Sequence, residues 1–209
     1  MTAGGTKRQF SKWAELTSDP WILEQITGVT PDLFISPKQY VLPREITWSQ
    51  SELELINEEL AKMIKTGVIR KVNNVDRDQY ISNIFFRYKS NKNLRVILNL
   101  KRFNNFVNSV HFKMGGLKDA LYLMYEGCFF TTVDLKDAYY TVPLHEKATK
   151  YFRFQHEGLL YEFTSLVMGY KDSPRIFTKI VVPMLSKLRE NNIQILMYID
   201  DALIVLIHF

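Results

Sequence analysis

Apolar residues recur at helical spacing in three segments of the chain. In the first segment, apolar side chains at positions 53, 56, 60 and 64 lie three or four residues apart. Ser49 and Glu52 precede them with the spacing of a capping box, which predicts that a helix starts here. Residues 116–127 and 173–191 predict two further helices, the second with a proline at its first turn.

Runs of β-branched and aromatic residues predict the strands. They occupy residues 68–72, 82–89, 94–100, 128–134, 150–165 and 194–207, and the last two runs are each expected to form a hairpin. We expect the apolar run 128–134 to be a buried strand. The order is one helix, three strands, a helix, three strands, a helix and two strands. This order predicts an α+β fold with a mostly antiparallel sheet.

The first 48 residues have a different composition. Residues 1–50 contain four of the seven prolines and all three tryptophans of the chain. Proline interrupts both helices and sheets, so we predict an extended N-terminal arm with little regular structure at residues 1–48. The arm is expected to pack on a body formed by residues 49–209.

Length and composition limit the possible classes of protein. A chain of 209 residues is expected to form one domain, or one domain with closely packed subdomains. Its single cysteine excludes an internal disulfide, no apolar run reaches the ~20 residues of a membrane span, and the N-terminus lacks the apolar region of a secretory signal. We therefore expect an intracellular protein without a membrane partner, in the nucleus or the cytoplasm. The net charge of +5 permits a nucleic-acid partner but is not diagnostic.

Three aspartate carboxylates are candidates for binding metal ions. Asp134 ends one predicted strand, and Asp200 and Asp201 lie between two apolar runs. If the strands are neighbours, the like charges must bind either a proton or a cation. Oxygen ligands without histidine or cysteine favour Mg²⁺ or Mn²⁺, and a pair of such ions catalyses phosphoryl transfer. The alternative is that Asp200 and Asp201 only form a hairpin turn.

Four blocks resemble the motifs of reverse transcriptases, in the order that those enzymes have. MYIDDALIV at 197–205 resembles their Tyr-X-Asp-Asp signature, and the other blocks are residues 94–104, 131–154 and 163–179. The resemblance implies the fingers and palm of a right-hand polymerase, an RNA-directed DNA polymerase of a retrotransposon. It leans towards the DIRS-like group, with long-terminal-repeat elements as a close alternative.

The resemblance also implies a role for individual residues. Asp134, Asp200 and Asp201 would be catalytic, and together with the carbonyl of Leu135 they would bind two Mg²⁺ or Mn²⁺ ions. Tyr139 would exclude a 2′-hydroxyl and so select dNTPs. The other nucleotide-binding residues would be Lys89 or Lys92, Arg95, Asp137, Ala138, Met168 and Gly169, and the template-binding residues would be Arg70, Lys71, Lys101 and Arg102.

Some features depart from the family pattern. Val167 stands where these enzymes usually have proline, Met168 replaces a more typical polar or aromatic residue, and Asn99 occupies a place often held by aspartate. Only eight residues follow Asp201. We therefore expect a C-terminally truncated fingers and palm with the thumb absent. The partners would be an RNA or DNA template with its primer, dNTP, and further thumb, RNase H or recombinase domains of a full-length product. The alternatives are a catalytically inactive nucleic-acid-binding fragment and a marginally stable relic.

Overall fold

The computed structural model describes residues 2–73, 75–88, 94–108 and 110–206. The helices are α1 (Gly5–Arg8), α2 (Phe10–Leu16), α3 (Pro20–Thr27), α4 (Gln50–Lys65), α5 (Leu117–Leu123) and α6 (Ser173–Glu190). The strands are β1 (Ile69–Lys71), β2 (Ile84–Tyr88), β3 (Leu94–Leu98), β4 (Phe129–Asp134), β5 (Arg153–His156), β6 (Leu159–Phe163), β7 (Gln194–Tyr198) and β8 (Asp201–Leu206). From α4 onwards this order of helices and strands is the predicted one, and the α+β class is confirmed. Within the described ranges, no helix combines the length and the apolar character needed to cross a membrane.

Within the described residues, the strands form three antiparallel sheets rather than one. Their strand orders are β1-β6-β5, β2-β3 and β4-β8-β7. The register of the third sheet sets Asp134 opposite Asp201 and Tyr198 opposite Asp201 on the other side. Asp134 and Asp201 are therefore opposite each other on neighbouring strands.

Helix α4 begins as the sequence predicts. The Ser49 hydroxyl accepts the Glu52 N–H at 3.4 Å, and the Glu52 carboxylate accepts the Ser49 N–H at 2.9 Å. These bonds satisfy two of the N–H groups that a helix start leaves unpaired. The buried face of the helix, with Ile56, Leu60 and Met63, joins the common hydrophobic core. This packing holds α4 against β1 and β3.

Aromatic rings fill the centre of that core. Phe103, Phe152 and Tyr170 are almost fully buried, with ring centroids 5.6 Å apart for Phe103 and Phe152 and 5.5 Å apart for Phe152 and Tyr170. Edge-to-face contacts at this distance add to the free energy of burial. Because the rings come from distant parts of the sequence, they join the segment after β3 to the sheet that contains β5 and to the segment before α6.

The N-terminal region contains more regular structure than predicted. Helices α1, α2 and α3 occupy most of residues 5–27, so the expectation of little regular structure was wrong there, whereas residues 28–48 contain neither a helix nor a strand. Helices of four to eight residues are too short to give a clear apolar periodicity, and packing stabilises them. Both α2 and α3 pack against α6. The domain boundary at residue 48 stays a prediction.

Strand β4 differs from the prediction in its burial. It is exposed along its whole length, and Phe129 and Phe130 retain 61% and 60% of their accessible surface. The strand is apolar, but it lies at the edge of its sheet, and α6 packs on β7 at the other edge. Helix α5 is also shorter than predicted and ends at Leu123.

A buried ion-pair network fixes the sheet that contains β5 and β6. The Arg153 Nε donates to Glu162 at 2.8 Å, the Arg153 Nη2 lies 2.7 Å from Asp76, and the Arg70 Nε donates to Glu162 at 2.8 Å. Arg153 and Glu162 are 5% and 4% exposed, so both charges have been removed from water. Such a pair costs much more free energy when it is broken than it contributes when it is intact.

Glu162→Gln should therefore destabilise the fold. Without the carboxylate, the buried Arg153 guanidinium loses its buried charge partner and keeps the half-exposed Asp76, with the charge of Asp78 nearby. We expect the free energy of unfolding to fall by about 3 kcal/mol. Urea denaturation measures this change. Glu190→Gln is the matched control, because Glu190 pairs with Lys187 at the surface and should change stability by less than about 1 kcal/mol. Equal losses in both variants would contradict this reading of the network.

Candidate active site

A cleft of about 790 Å³ lies where the β2-β3 hairpin, α4, the segment after β4 and the β7-β8 turn meet. Its walls contain residues far apart in the sequence, from Glu59 to Asp200. Seven of the predicted site residues line it: Arg95, Asp134, Asp137, Ala138, Tyr139, Met168 and Asp200. Most of the residues predicted to bind the nucleotide and the metal therefore line one cleft.

Asp134 and Asp200 form a part of the cleft that we call the acidic corner. It lies where the end of β4 meets the β7-β8 turn. The Leu135 N–H donates to the Asp200 carbonyl at 2.8 Å, which ties the end of β4 to the β7-β8 turn. Asp134 and Asp201 are opposite residues in the ladder, so their side chains leave the same face of the sheet. Asp134 and Asp200 line the cleft, whereas Asp201 lines an adjacent cavity of about 590 Å³ beside the start of α5.

The turn that carries Asp200 is strained. Tyr198 pairs with Asp201, so Ile199 and Asp200 form a two-residue hairpin loop, and Ile199 has φ of 57°. A β-branched residue rarely adopts positive φ, and a loop with this conformation at its first position normally has glycine there. Strain of this kind persists where the surroundings hold the backbone, and it is common at functional sites.

The carboxylates of Asp134, Asp200 and Asp201 are not paired with any group in the part of the chain that the structure describes. Among residues 2–73, 75–88, 94–108 and 110–206, none forms a hydrogen bond or ion pair with the carboxylates of Asp134, Asp200 or Asp201. The same part of the chain contains no group of three or more His, Cys, Asp or Glu side chains gathered closely enough to hold a metal ion. Proteins commonly bind Mg²⁺ through one or two carboxylates, with substrate phosphates and water completing the shell. Asp134 and Asp200, which face one cleft, fit that pattern.

The cleft is also lined by cationic side chains. Arg95 on β3 is directly opposite Arg87 on β2, and both line the cleft together with Lys136. Like charges at opposite positions of a β-ladder destabilise the hairpin, so this pair indicates a site for an anion. Lys89 and Lys92, the other predicted cations of this hairpin, lie outside the described residues.

A tight turn brings Tyr139 into the cleft. Asp137 has φ of 56° and precedes a 3-10 turn at Ala138–Thr141. The half-buried Tyr139 ring packs edge-on against Phe177 of α6, with centroids 5.6 Å apart. Burial, followed by the nearby charge of Asp200, raises the pKa of Tyr139 to about 12, so the phenol is neutral at physiological pH.

The Met168–Gly169 segment is held against β3. The Asn104 side chain donates to the Gly169 carbonyl at 2.8 Å and accepts the Lys171 N–H at 3.1 Å. Gly169 has φ of 98°, and a Cβ atom there would lie 2.3 Å from the Leu98 carbonyl oxygen. Only glycine therefore allows this segment to approach β3 closely enough to present Met168 to the cleft.

Comparison with known proteins places this geometry in a family. Residues 87–207 match the family described as reverse transcriptase (RNA-dependent DNA polymerase). The chain belongs to the reverse transcriptase family. The matched region contains all of the predicted catalytic residues and every predicted nucleotide-binding residue, so the recognition of the family from its four sequence blocks is confirmed.

Individual relatives are polyproteins of viruses and transposons. The chain is 27% identical over 203 residues to the Gag-Pol polyprotein of Walleye dermal sarcoma virus, covering 92% of this chain and 11% of the relative. It is 26% identical over 185 residues to the retrovirus-related Pol polyprotein from transposon gypsy of Drosophila melanogaster, covering 85% and 17%. It is 23% identical over 161 residues to a putative enzymatic polyprotein of Cassava vein mosaic virus, covering 75% and 24%. The chain thus spans between a tenth and a quarter of each relative's length, and these matches do not separate the DIRS-like from the long-terminal-repeat group.

The four predicted template-binding residues and Leu135 lie outside the cleft lining. Arg70 is paired with Glu146 and Glu162, Lys71 is exposed on β1, and Lys101 and Arg102 are exposed just after β3. The side chain of Leu135 packs against the core while its amide bonds to Asp200. Template binding by these four cations stays a prediction.

The sequence did not identify several residues that line or support the cleft. Arg87 and Lys136 add positive charge, and Asn104 supports the Met168–Gly169 segment from a distance of more than sixty residues in the chain. The register of the β2-β3 hairpin would have identified Arg87, since it places that residue opposite Arg95. No local sequence signal identifies Asn104, because its partner is a distant backbone carbonyl.

Gly169→Ala should destabilise the protein far more than Gly158→Ala. Both glycines have positive φ, but a Cβ atom at Gly158 meets nothing within 4 Å, whereas the one at Gly169 overlaps the Leu98 carbonyl. We expect a loss of about 1–2 kcal/mol at Gly158 from the backbone conformation alone, and at least about 2 kcal/mol more at Gly169. Denaturant midpoints measure the difference. Similar midpoints for the two variants would contradict the close approach of Gly169 to β3.

Proposed function

We propose that this chain is the fingers and palm of an RNA-directed DNA polymerase, which transfers the nucleotidyl group of a dNTP to the 3′-hydroxyl of a primer. The observation that carries the proposal is one cleft that is lined both by the carboxylates of Asp134 and Asp200 and by the guanidinium groups of Arg87 and Arg95. Family membership supports the same reaction. The primer oxygen bonds to the α-phosphorus, the bond from that phosphorus to the bridging oxygen breaks, and pyrophosphate leaves.

Asp134 and Asp200 are the residues that would hold the divalent cations, two Mg²⁺ or Mn²⁺ ions. The Leu135 carbonyl would add a further oxygen, and Asp201 would support the cluster from the adjacent strand position. When bound, the ions lower the pKa of the attacking hydroxyl and offset the charge of the leaving pyrophosphate. The strained Ile199 turn supports this assignment, because it fixes the backbone from which Asp200 projects.

The cationic side chains of the cleft would bind the triphosphate. The guanidinium groups of Arg87 and Arg95 offer forked donors that match phosphate oxygens, and Lys136 adds charge beside Asp134. Lys89 or Lys92 would contribute from the hairpin tip. The backbone N–H groups of Asp137 and Ala138 would approach the phosphates at the start of the 3-10 turn. In this reaction, catalysis by the protein consists mainly of positioning and charge complementarity.

The neutral Tyr139 ring would lie under the sugar and leave no room for a 2′-hydroxyl, which selects dNTPs over rNTPs. Met168 and Gly169 would flank the new base pair. An RNA or DNA template would contact Lys71, Lys101 and Arg102 through its phosphates, and such contacts depend on salt but not on sequence. Arg70 would contribute less, because two carboxylates already occupy its donors.

We also propose that the chain functions within a larger product. The relatives are polyproteins, and the chain matches only a part of each. Thumb, RNase H or recombinase domains would then be partners of this reverse transcriptase.

Nucleic-acid binding without catalysis is the second candidate. Asp201 lines a separate cavity and not the cleft, which favours this candidate because only two of the three aspartates then face the nucleotide. An incorporation assay separates the two functions, and a binding-only protein would retain primer–template affinity without extending the primer.

Asp200→Asn and Asp134→Asn should each abolish polymerisation. With poly(rA), oligo(dT) and Mg²⁺ or Mn²⁺, we expect dTTP incorporation to fall by at least about 100-fold, since each variant removes a metal ligand. Asp19→Asn is the matched control, because asparagine also caps α3 and the residue lies outside the cleft. Removal of the metal with EDTA should match the effect of the two variants. Undiminished incorporation by Asp200→Asn would overturn the proposed function.

Arg87→Gln should weaken nucleotide binding without destabilising the hairpin. The substitution removes a like-charge pair from β2 and β3, so the free energy of unfolding should stay unchanged or rise slightly. The KM for dTTP should rise by about tenfold or more, because a charged donor to the triphosphate is lost.

Arg77→Gln, at an exposed position outside the cleft, provides the control for Arg87→Gln. Steady-state kinetics and thermal melts of both variants make the comparison. A wild-type KM in Arg87→Gln would exclude Arg87 from the triphosphate site.

A further inference from the structure

We propose that residues 3–29, called here the N-terminal brace, position the turn that carries Tyr139, with Thr6 as the key positioning residue. The inference rests on the proposed function, since Tyr139 is assigned there to sugar selection. The brace lies outside the residues that match the reverse transcriptase family. Its role therefore follows from the contacts that it makes in this chain.

The first contacts are made to the turn itself. The Gly4 N–H donates to the Tyr140 carbonyl at 3.0 Å, and the Thr6 hydroxyl lies 3.1 Å from the Thr141 carbonyl. The same hydroxyl lies 3.1 Å from the Ile26 carbonyl at the end of α3, and Thr6 is only 8% exposed. One buried hydroxyl thus connects the turn to α3.

Contacts continue along the chain that leaves the turn. The Val29 N–H donates to the Pro143 carbonyl at 2.9 Å, and the Val29 carbonyl accepts the His145 N–H at 2.9 Å. Gly28 lies so close to this segment that a Cβ atom there would be 2.9 Å from the His145 Cα. The brace therefore binds residues 140–145 at both ends of a short run of backbone.

The brace also packs against the second support of Tyr139. The Tyr139 ring rests on Phe177 of α6, and both α2 and α3 pack against that helix. The Lys179 ammonium lies 4.6 Å from the centroid of the Trp21 ring, and the Arg175 guanidinium lies 5.5 Å from it. The brace thus holds both the backbone beneath Tyr139 and the helix behind its ring.

The turn leaves two of its carbonyls available to the brace. Inside the turn, the Tyr140 N–H bonds to Asp137 and the Val142 N–H bonds to Tyr139, which leaves the carbonyls of Tyr140 and Thr141 for the brace. Loss of the brace bonds would leave these polar groups without their partners, and the turn would have to move to find others. A shift of about 1 Å at a positioning group is enough to change a rate substantially.

Thr6→Val tests the proposal, because it preserves the shape of the side chain and removes the hydroxyl whose single proton is shared between the Ile26 and Thr141 carbonyls. The readout is the ratio of kcat/KM for dTTP to kcat/KM for rUTP on poly(rA) and oligo(dT). We expect this ratio to fall by about tenfold or more, towards the value for Tyr139→Val, whereas Thr6→Ser, which keeps the hydroxyl, should restore it. An unchanged ratio in Thr6→Val would overturn the link to sugar selection.

Thr149→Val is the matched control. The Thr149 hydroxyl is also buried and donates to one backbone carbonyl, that of Glu146 at 3.0 Å, but the residue lies outside the cleft and the brace. A general loss of stability would lower the activity of both variants, whereas only Thr6→Val should change the ratio of the two nucleotides. An equal change in both variants would assign the effect to stability and overturn the role of the brace.

Hydrogen exchange provides a readout that does not require polymerase activity. We expect the amides of residues 138–142 to exchange faster in Thr6→Val than in the wild type, and to be unchanged in Thr149→Val. If the wild type does not incorporate dTTP, the proposed function fails, and exchange still decides whether the brace holds the turn. Unchanged exchange in Thr6→Val would overturn the brace whatever the activity. Thr6→Ala serves the same comparison if Thr6→Val does not melt cooperatively.

Discussion

The hydrogen bond from the Leu135 N–H to the Asp200 carbonyl is the interaction on which the acidic corner depends. It extends the β4-β8 ladder by one bond beyond the last paired residues and fixes the register of the two strands. A slip of one residue would send Asp134 to the opposite face of the sheet and separate it from Asp200. The composition of the cleft depends on this register, because the register keeps Asp134 and Asp200 in the same cleft as Arg87 and Arg95.

The candidate site costs free energy of folding, and the remainder of the fold offsets that cost. The neighbouring carboxylates of Asp134 and Asp200, the opposed arginines and the positive φ at Asp137 and Ile199 all carry a cost in free energy. The aromatic core and the buried network of Arg153 and Glu162 lie away from the cleft and offset that cost. This division is typical of enzymes, in which functional sites are less stable than the scaffold around them.

The sequence predicted helices and strands correctly where a periodic pattern of apolar residues extended over a long segment. Helix α4, the hairpins and the order of elements from residue 50 onwards follow from spacing, and the carboxylates at the strand ends indicated the chemistry. Short helices such as α1 give no such pattern, and exposure of β4 depends on its place at the sheet edge, which only the topology determines. Arg87 and Asn104 were missed for the same reason: cross-strand register and a distant carbonyl gave them their positions.

The contact between Gly169 and the Leu98 carbonyl has a consequence for motion. The backbones of β3 and of the segment before α6 touch at this point without an intervening side chain, and Asn104 fastens the same segment to the residues after β3. This backbone contact limits independent movement of the base of the hairpin and the Met168 segment. We therefore expect any change in the distance between Met168 and the two hairpin arginines to come from bending of the hairpin beyond Leu98 and not from movement at its base.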